Sequence, residues 1–265
     1  MNKSQIIALY DQDQRKDVEY PDARREVTPT VVRHIDTSGN GEGTVIYSQI
    51  NEADADDTIR EQVAYFESIG QGFEWKVYDY DRPADLKERL RSHGFTAGEA
   101  EAIMVLDLAE AAEVLWQSVR HNVQRIMDPE KISEVLTIQQ QVWNEDFSWL
   151  GHYLGEALNR YPEQMSVYVA YVDGQAASSA WTYFPKRSQF ASLWGGSTLS
   201  DFRKQGLYTT LLAVRAQEAK ARKVRYLTVD ASDMSRPILE KFGFEMIASS
   251  YPYKWIREPK NKGST

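Results

Sequence analysis

One short segment combines residue types that suit the binding of an anion. Residues 198–208, Thr-Leu-Ser-Asp-Phe-Arg-Lys-Gln-Gly-Leu-Tyr, lead from a strand-like run into a helix-like run. The first turn of a helix has unpaired N–H groups and a partial positive charge, so it binds phosphate well. Gly206 lets the backbone come close to such a group, and Arg203 and Lys204 add positive charge. The segment is compatible with a pyrophosphate site, although taken alone it is more often an ordinary strand-to-helix loop.

The elements around this segment follow from hydrophobic periodicity and turn residues. Asp173-Gly174 is a strong hairpin signal, and Gly195-Gly196 inside a strand indicates a bulge or a close backbone approach. The predicted strands of the second half cover residues 119–126, 167–172, 175–184, 190–199 and 225–231, and two last strands lie within 244–255. The predicted helices cover residues 129–141, 148–159, 207–222 and 236–242.

The first half shows a similar alternation of strands and helices. Gly-Asn-Gly at residues 39–41 predicts a hairpin turn. Pro83 is placed in the first turn of a helix, where its missing N–H costs nothing, and Gly94 ends that helix. The predicted strands cover residues 30–35, 44–50, 73–80 and 102–108, and the helices cover residues 4–16, 58–69 and 83–92.

A family resemblance rests on two motifs in this frame. Residues 203–208, Arg-Lys-Gln-Gly-Leu-Tyr, follow the pattern Arg/Gln-x-x-Gly-x-Gly/Ala except at the last position, and residues 239–244, Leu-Glu-Lys-Phe-Gly-Phe, end the element order. Over about residues 119–257 the chain resembles the Gcn5-related N-acetyltransferases (the GNAT superfamily), as a tandem, bacterial-type member. The resemblance implies an α/β fold with a mixed sheet, acetyl-CoA as co-substrate and no metal.

The same resemblance implies a set of cofactor contacts. They come from the end of a central strand, from the loop after it and from the segment after the next strand. The residues are Gly196, Ser197, Thr198, Arg203, Lys204, Gln205, Gly206, Leu207, Tyr208, Thr209 and Ser232.

Two positions depart from the family pattern. Tyr208 stands where the loop has a small residue, and Leu239 stands where many members have a tyrosine that protonates the departing thiolate. Since leucine cannot donate a proton, the acid is Ser235, Tyr208, a water or nothing. The nearest carboxylate by topology is Asp230, for which a solvated or capping role competes with that of a catalytic base.

The first half is interpreted as a degenerate copy of the second. Asp81 to Gly94 and Asp230 to Gly243 have the same spacing, and each pair ends in Gly-Phe. The segment before the first-half helix, residues 51–58, is acidic and has no glycine, so it would repel a pyrophosphate. We therefore predict a GNAT-like domain without a phosphate loop over residues 1–115 and an acetyl-CoA-binding GNAT domain over residues 116–265.

Composition limits the function classes. The 265 residues carry a net charge of −8, which argues against nucleic acid as a partner. Residues 1–110 hold 12 Lys/Arg against 23 Asp/Glu, so the acids concentrate in the half without the loop. The absence of cysteine excludes an acyl-cysteine intermediate, and no apolar run approaches the ~18 residues of a membrane span.

The sequence thus predicts a cytoplasmic N-acetyltransferase that moves an acetyl group from acetyl-CoA to an amine by direct attack. The acceptor is an amine of a small molecule or of a protein, and neither nucleic acid nor a membrane is a partner. A homodimer remains open. The alternative is a non-catalytic acyl-CoA-binding or regulatory protein, which Leu239 motivates.

Overall fold

The computed structural model describes residues 2–39 and 42–257. Strands and helices alternate along the chain, as the periodicity predicts. The strands are β1 (Ala23–Val27), β2 (Val31–Asp36), β3 (Gly43–Ser48), β4 (Phe73–Tyr78), β5 (Thr96–Ala97), β6 (Glu101–Asp107), β7 (Asn122–Ile126), β8 (Met165–Val172), β9 (Gln175–Tyr183), β10 (Phe190–Thr198), β11 (Tyr226–Ala231) and β12 (Glu245–Trp255). The helices are α1 (Lys3–Tyr10), α2 (Ala55–Ile69), α3 (Leu86–Ser92), α4 (Ile132–Trp143), α5 (Ser148–Arg160), α6 (Leu207–Ala221) and α7 (Arg236–Glu240). Within the described ranges, no helix is long and apolar enough to cross a bilayer.

Two compact units make up the chain. The C-terminal unit comprises residues 103–247, and the N-terminal unit comprises residues 2–102 together with 248–257. The predicted domain boundary at 115/116 therefore falls inside the C-terminal unit. No single boundary along the chain separates these units. Most of β6 lies in the C-terminal unit, and most of β12, near the end of the chain, lies in the N-terminal unit.

The C-terminal unit is a mixed sheet in the order β7-β8-β9-β10-β11-β6. Strands β7 to β10 pair antiparallel. Strand β10 pairs parallel with β11, and helix α6 connects these two strands along the chain. The predicted hairpin between β8 and β9 is confirmed, since Asp173 and Gly174 both have positive φ, at 50° and 81°. Helix α6 packs on the sheet through Leu207 and Leu211, which join a cluster with residues of β8 and β9.

The N-terminal unit is a mixed sheet in the order β1-β2-β3-β4-β12, with β5 also paired to β12. Its core contains Phe66 of α2, Trp75 of β4 and Leu90 of α3, and Tyr253 of β12 is buried among the same residues. The parallel pair β3 and β4 is joined by α2, as β10 and β11 are joined by α6. This repeat of topology is consistent with a duplicated α/β fold.

Two element predictions are wrong in detail. Helix α3 begins at Leu86 rather than at Pro83, because residues 83–86 form a turn in which the Leu86 N–H donates to the Pro83 carbonyl. Residues 245–255 form one strand rather than two. Pro252 does not interrupt this strand, since it keeps its place opposite Lys76 of β4 and its carbonyl accepts the N–H of Gly98.

Candidate functional site

The two parallel strands of the C-terminal unit separate after a short paired stretch. Phe190, Ala191 and Ser192 of β10 stand opposite Tyr226, Leu227 and Thr228 of β11, and the pairing stops there. The remaining residues of both strands, 193–198 and 229–231, bound a wedge whose two sides are strand backbone. We call this space the wedge. An extended ligand placed in it can form strand-like hydrogen bonds with the backbone on either side.

A bulge bends β10 along the wedge. The register with β9 shifts between Trp194 and Ser197, as the two glycines predict. Gly195 has φ of 60°, and a Cβ there would stand 1.8 Å from the ring of Trp181. Glycine is therefore required at 195 for both the backbone conformation and the contact with Trp181.

The loop after β10 ends at the start of α6 in an open N-terminus. Gly206 is the residue before the helix and has φ of 83°, and no side chain caps its first turn. Leu207 is buried in the core and fixes the helix start. The first N–H groups of α6 therefore have no intrahelical partner and carry the positive end of the helix dipole. This arrangement can hold an anion such as a pyrophosphate.

The side chains around this helix start are mostly basic or polar and exposed. Arg203, Lys204 and Gln205 are all exposed, and the Arg203 Nε donates to the carbonyl of Thr198 at 3.3 Å. Lys204 has φ of 61°, an uncommon conformation for a residue with a side chain. The ring of His121 also lies here, since a Cβ on Gly206 would stand 3.7 Å from its Nε2. His121 was missed in the sequence because it lies far from the loop motif along the chain.

Tyr208 does not extend into solvent beside the loop. Its ring lies against β10, because a Cβ on Gly196 would stand 3.0 Å from Tyr208 Cε2. Burial raises the pKa of the Tyr208 phenol, and the positive charge of Arg215 opposes that effect. The phenol is therefore neutral at pH 7 and can donate a proton. The small residue that the family pattern has at 208 is replaced by a ring next to the bulge.

Ser197 and Thr198 use their side chains within the unit. The Ser197 hydroxyl donates to Gln139 Oε1 at 3.0 Å and accepts from Trp143 Nε1 at 3.1 Å, both on α4. Thr198 Oγ1 lies 2.8 Å from the hydroxyl of Ser178 on β9. The hydroxyls of these two predicted contact residues are therefore engaged within the unit.

The end of β11 and the start of α7 hold the remaining predicted residues. The hydroxyl of Ser235 donates to the Ser232 carbonyl at 3.2 Å and lies 3.3 Å from the Ser232 hydroxyl. Asp230 is half-buried near the end of β11, on the wedge segment of that strand. Leu239 is only 1 % exposed and belongs to the core, so its position offers no proton donor.

Comparison with known proteins bears on this geometry. The sequence model of the Acetyltransferase (GNAT) domain matches residues 139–258. This part of the chain is similar to a GNAT acetyltransferase domain. The match includes the bulge, the loop before α6 and the last strand. No curated protein sequence matches the chain.

Solved structures with the same fold cover nearly the whole chain. A GCN5-related N-acetyltransferase from Kribbella flavida is 14 % identical with a TM-score of 0.69, and 97 % of this chain and 95 % of that chain are covered. A tandem GNAT protein from the clavulanic acid biosynthesis pathway is 12 % identical with a TM-score of 0.63, covering 92 % of this chain and 86 % of its own. A functionally unknown conserved protein from Staphylococcus epidermidis is 14 % identical with a TM-score of 0.64, covering 89 % and 94 %. These likenesses show the fold, including its tandem form.

The N-terminal unit has a strand pair that corresponds to the β10–β11 pair of the C-terminal unit. Residues 43–45 of β3 stand opposite residues 73–75 of β4, and the pairing ends there. The side chain of Arg15 lies between the two strands just beyond that point. Its Nε donates to the Ile46 carbonyl of β3 at 3.0 Å, and its guanidinium lies 3.8 Å from the ring centroid of Tyr78 on β4.

Arg15 occupies the space beyond the paired part of β3 and β4. The guanidinium forms a bidentate pair with Asp81 at 2.8 and 3.0 Å, and its side chain is 0 % exposed. The helix that follows β3 starts with acids, of which Asp56 is bonded to Arg89 and His93. These contacts support the prediction that the first half does not bind CoA, which remains a proposal.

One charged residue of the C-terminal unit, Arg215, was missed in the sequence. Arg215 lies on the buried face of α6 and is 2 % exposed. It occupies the same helical stripe as Leu211 and Ala219, where the 3.6-residue period calls for apolar residues. An ionisable residue at such a position is a sequence signal that could have identified it.

Proposed function

We propose that the protein is an acetyl-CoA-dependent N-acetyltransferase that acetylates an amine of a small molecule or of a protein. The single observation that carries this proposal is the wedge between β10 and β11, which lies next to the open start of α6. Strand backbone on two sides suits an amide-rich arm, and the helix start suits a pyrophosphate. CoA combines these two chemical features in one molecule.

In the proposed complex, the residues divide by the part of acetyl-CoA that they hold. The backbone N–H groups from Lys204 to Thr209 hold the pyrophosphate, with Arg203 and Lys204 adding charge. The backbone of residues 196–198 holds the pantetheine arm and the acetyl carbonyl. Ser232, at the end of the opposite strand, completes the set. The conformation of Gly206 supports this assignment, since no Cβ stands between the backbone and the anion.

The proposed chemistry is direct attack of a neutral amine on the thioester. The new C–N bond forms as the C–S bond breaks, the sulfur leaves with the electron pair, and the nitrogen loses one proton. Asp230 is our candidate for the group that accepts the proton of the amine. N–H donors of the bulged strand would polarise the acetyl oxygen.

Tyr208 is our candidate for the group that protonates the departing sulfur. Leu239 cannot donate, and the Ser235 hydroxyl is engaged with Ser232. The ring of Tyr208, in contrast, contacts the bulge of β10 and so brings its hydroxyl close to the wedge. A neutral phenol next to a developing thiolate is a suitable general acid.

A second candidate function is supported by the position of Leu239. Because this core residue replaces the usual tyrosine of the family, a protein that binds acyl-CoA without transferring the acyl group would also account for the site. Calorimetry with acetyl-CoA and an assay of thiol release over a library of amines separate the two functions. Binding with thiol release on at least one amine supports the enzyme, and binding without any release supports the second function. The absence of binding contradicts both.

The site assignment has a sharper test at the start of α6. Gly206→Glu places a carboxylate beside the proposed pyrophosphate, and since like charges brought together cost several kcal/mol, we expect acetyl-CoA binding to weaken by at least about 100-fold. Gly174→Glu is the matched control, because Gly174 has nearly the same φ (81° against 83°) but lies in the β8–β9 turn. Equal affinities of the two variants in calorimetry would refute the assignment.

A further inference from the structure

The C-terminal unit buries a positive charge that lacks an acidic partner. The Nε of Arg215 donates to the Leu211 carbonyl at 3.0 Å, and its Nη1 makes a long contact of 3.5 Å with the Trp194 carbonyl. Among the residues that the structure describes, no carboxylate pairs with this guanidinium. The titratable groups that face it are two phenols, Tyr208 on its own helix and Tyr168 on β8.

This arrangement is costly for the folded chain. Taking an ion out of water costs several kcal/mol, and buried charges are normally paired with an opposite charge. A guanidinium has five N–H donors, and the printed contacts of Arg215 use two of them. Burial lowers the pKa of Arg215 to about 10, so the group still carries its charge at neutral pH. The position thus keeps a full positive charge at the expense of stability.

The location of Arg215 connects that charge to the wedge. Trp194 and Gly196 are both residues of the bulge, and a Cβ on Gly196 would stand 3.9 Å from Arg215 Nη2. The guanidinium therefore contacts the same strand segment that holds the thioester in the proposed function. Negative charge that appears near this segment meets a fixed cation in a medium of low dielectric constant, where such attraction is strong.

We propose that Arg215 stabilises the thiolate of CoA that forms when the acyl group leaves. This inference rests on the proposed function. The C–S bond breaks and its electron pair stays on the sulfur; Arg215 acts by its charge, and the proton that finally neutralises the sulfur comes from another group. The ring of Tyr208 contacts the same bulge residue, Gly196. The charge of Arg215 takes over part of the task that the tyrosine at position 239 performs elsewhere in the family.

The test uses the full chain and needs no knowledge of the acceptor. Calorimetry compares CoA with desulfo-CoA, the analogue that lacks the thiol, at pH values from 6.5 to 9. If the cation favours the thiolate, the pKa of the bound thiol falls below that of free CoA. The affinity for CoA relative to desulfo-CoA then rises with pH, and it approaches about tenfold above both pKa values, since an opposite charge within a few ångströms shifts a pKa by one unit or more. A constant ratio in the wild-type protein overturns the inference.

Two variants distinguish this role from a structural one. Arg215→Met removes the charge at similar volume, so we expect the ratio to become independent of pH while the melting temperature stays equal or rises. Arg222→Met is the matched control, because Arg222 caps the same helix but pairs with Glu218, at 2.7 Å. It should keep the wild-type pH dependence. A lower melting temperature of Arg215→Met with an unchanged pH dependence would assign Arg215 a structural role only.

The outcomes also separate this inference from the proposed function. If neither CoA nor desulfo-CoA binds, the proposed function fails and the inference fails with it. If both bind with a constant ratio, the proposed function stands and only the role of Arg215 is refuted.

Discussion

The second residue of α6 is a tyrosine whose ring packs on the bulge of the adjacent strand. If Tyr208 protonates the departing sulfur, Tyr208→Phe should lower kcat by about 100-fold or more, since general acids contribute that much. Binding of acetyl-CoA should change little, because the backbone N–H groups of the helix start are retained. The measurement is steady-state thiol release with any amine that the library identifies.

A matched control exists for the tyrosine. Tyr161, at the end of α5, has its ring 5.9 Å from the guanidinium of Arg160 and takes no part in the proposed site. Tyr161→Phe should leave kcat at the wild-type value. Equal kcat for both variants would remove Tyr208 from the chemistry and leave water as the proton source.

At the scale of single residues, the sequence predicted backbone conformation better than side-chain contacts. Gly195 and Gly206 were recognised because glycine in a strand, or before a helix, has few alternative explanations. The engagement of Ser197 with α4 was not predictable, because its partners Gln139 and Trp143 lie more than fifty residues away in the chain. Polar atoms can be located from residue types alone, but whether such an atom is free to contact a ligand depends on the folded packing around it.

The strand pair β3–β4 is the counterpart of the β10–β11 pair in the N-terminal unit. Arg15 lies where the strands part and is bonded to Asp81 and to the Ile46 carbonyl. Burial alone would lower the pKa of Arg15, but the carboxylate of Asp81 outweighs it and the pKa rises. The guanidinium therefore keeps its charge, whereas burial raises the pKa of the Asp81 carboxyl.

The pair should be a main support of the N-terminal unit. Arg15→Gln leaves the buried carboxylate of Asp81 without its cationic partner, so we expect the free energy of unfolding to fall by about 3–5 kcal/mol. Denaturant titration followed by circular dichroism measures this. Arg60→Gln, which breaks an exposed pair with Asp57, should have little effect. A similarly small effect of Arg15→Gln would show that the space between the strands does not depend on the ion pair.

At the scale of elements, the strongly periodic segments were predicted within a few residues. The two exceptions have local causes: Pro83 precedes α3 within a turn, and Pro252 is accommodated inside β12. Strand β1, Ala-Arg-Arg-Glu-Val, was not predicted at all. Its charged residues give no alternation of apolar side chains, and it is a strand because it pairs with β2.

The whole molecule differs from two consecutive halves in the placement of its last strands. The prediction of segments 1–115 and 116–265 followed the repeat of elements along the chain. In the structure, the N-terminal unit receives β12 from the end of the chain, and β6 contributes to the C-terminal unit. Periodicity predicts that a strand exists, but the neighbour with which it pairs depends on long-range hydrogen bonds that leave no local pattern.

This exchange predicts that residues 1–115 cannot fold alone. Without β12, strand β4 loses six paired residues, from Tyr78 opposite Ser250 to Phe73 opposite Trp255, and becomes an open edge. The core also loses Tyr253, which is buried with Phe73 and Trp75. The isolated segment should show no cooperative thermal transition by circular dichroism.

A peptide of residues 245–257 should restore the transition, with a melting temperature that rises with peptide concentration, because it binds only the folded state. The same peptide with Tyr253→Ala should restore it much less, since it lacks the buried ring. A cooperative transition of residues 1–115 without any peptide would show that the first half is complete in itself and that β12 is dispensable to it.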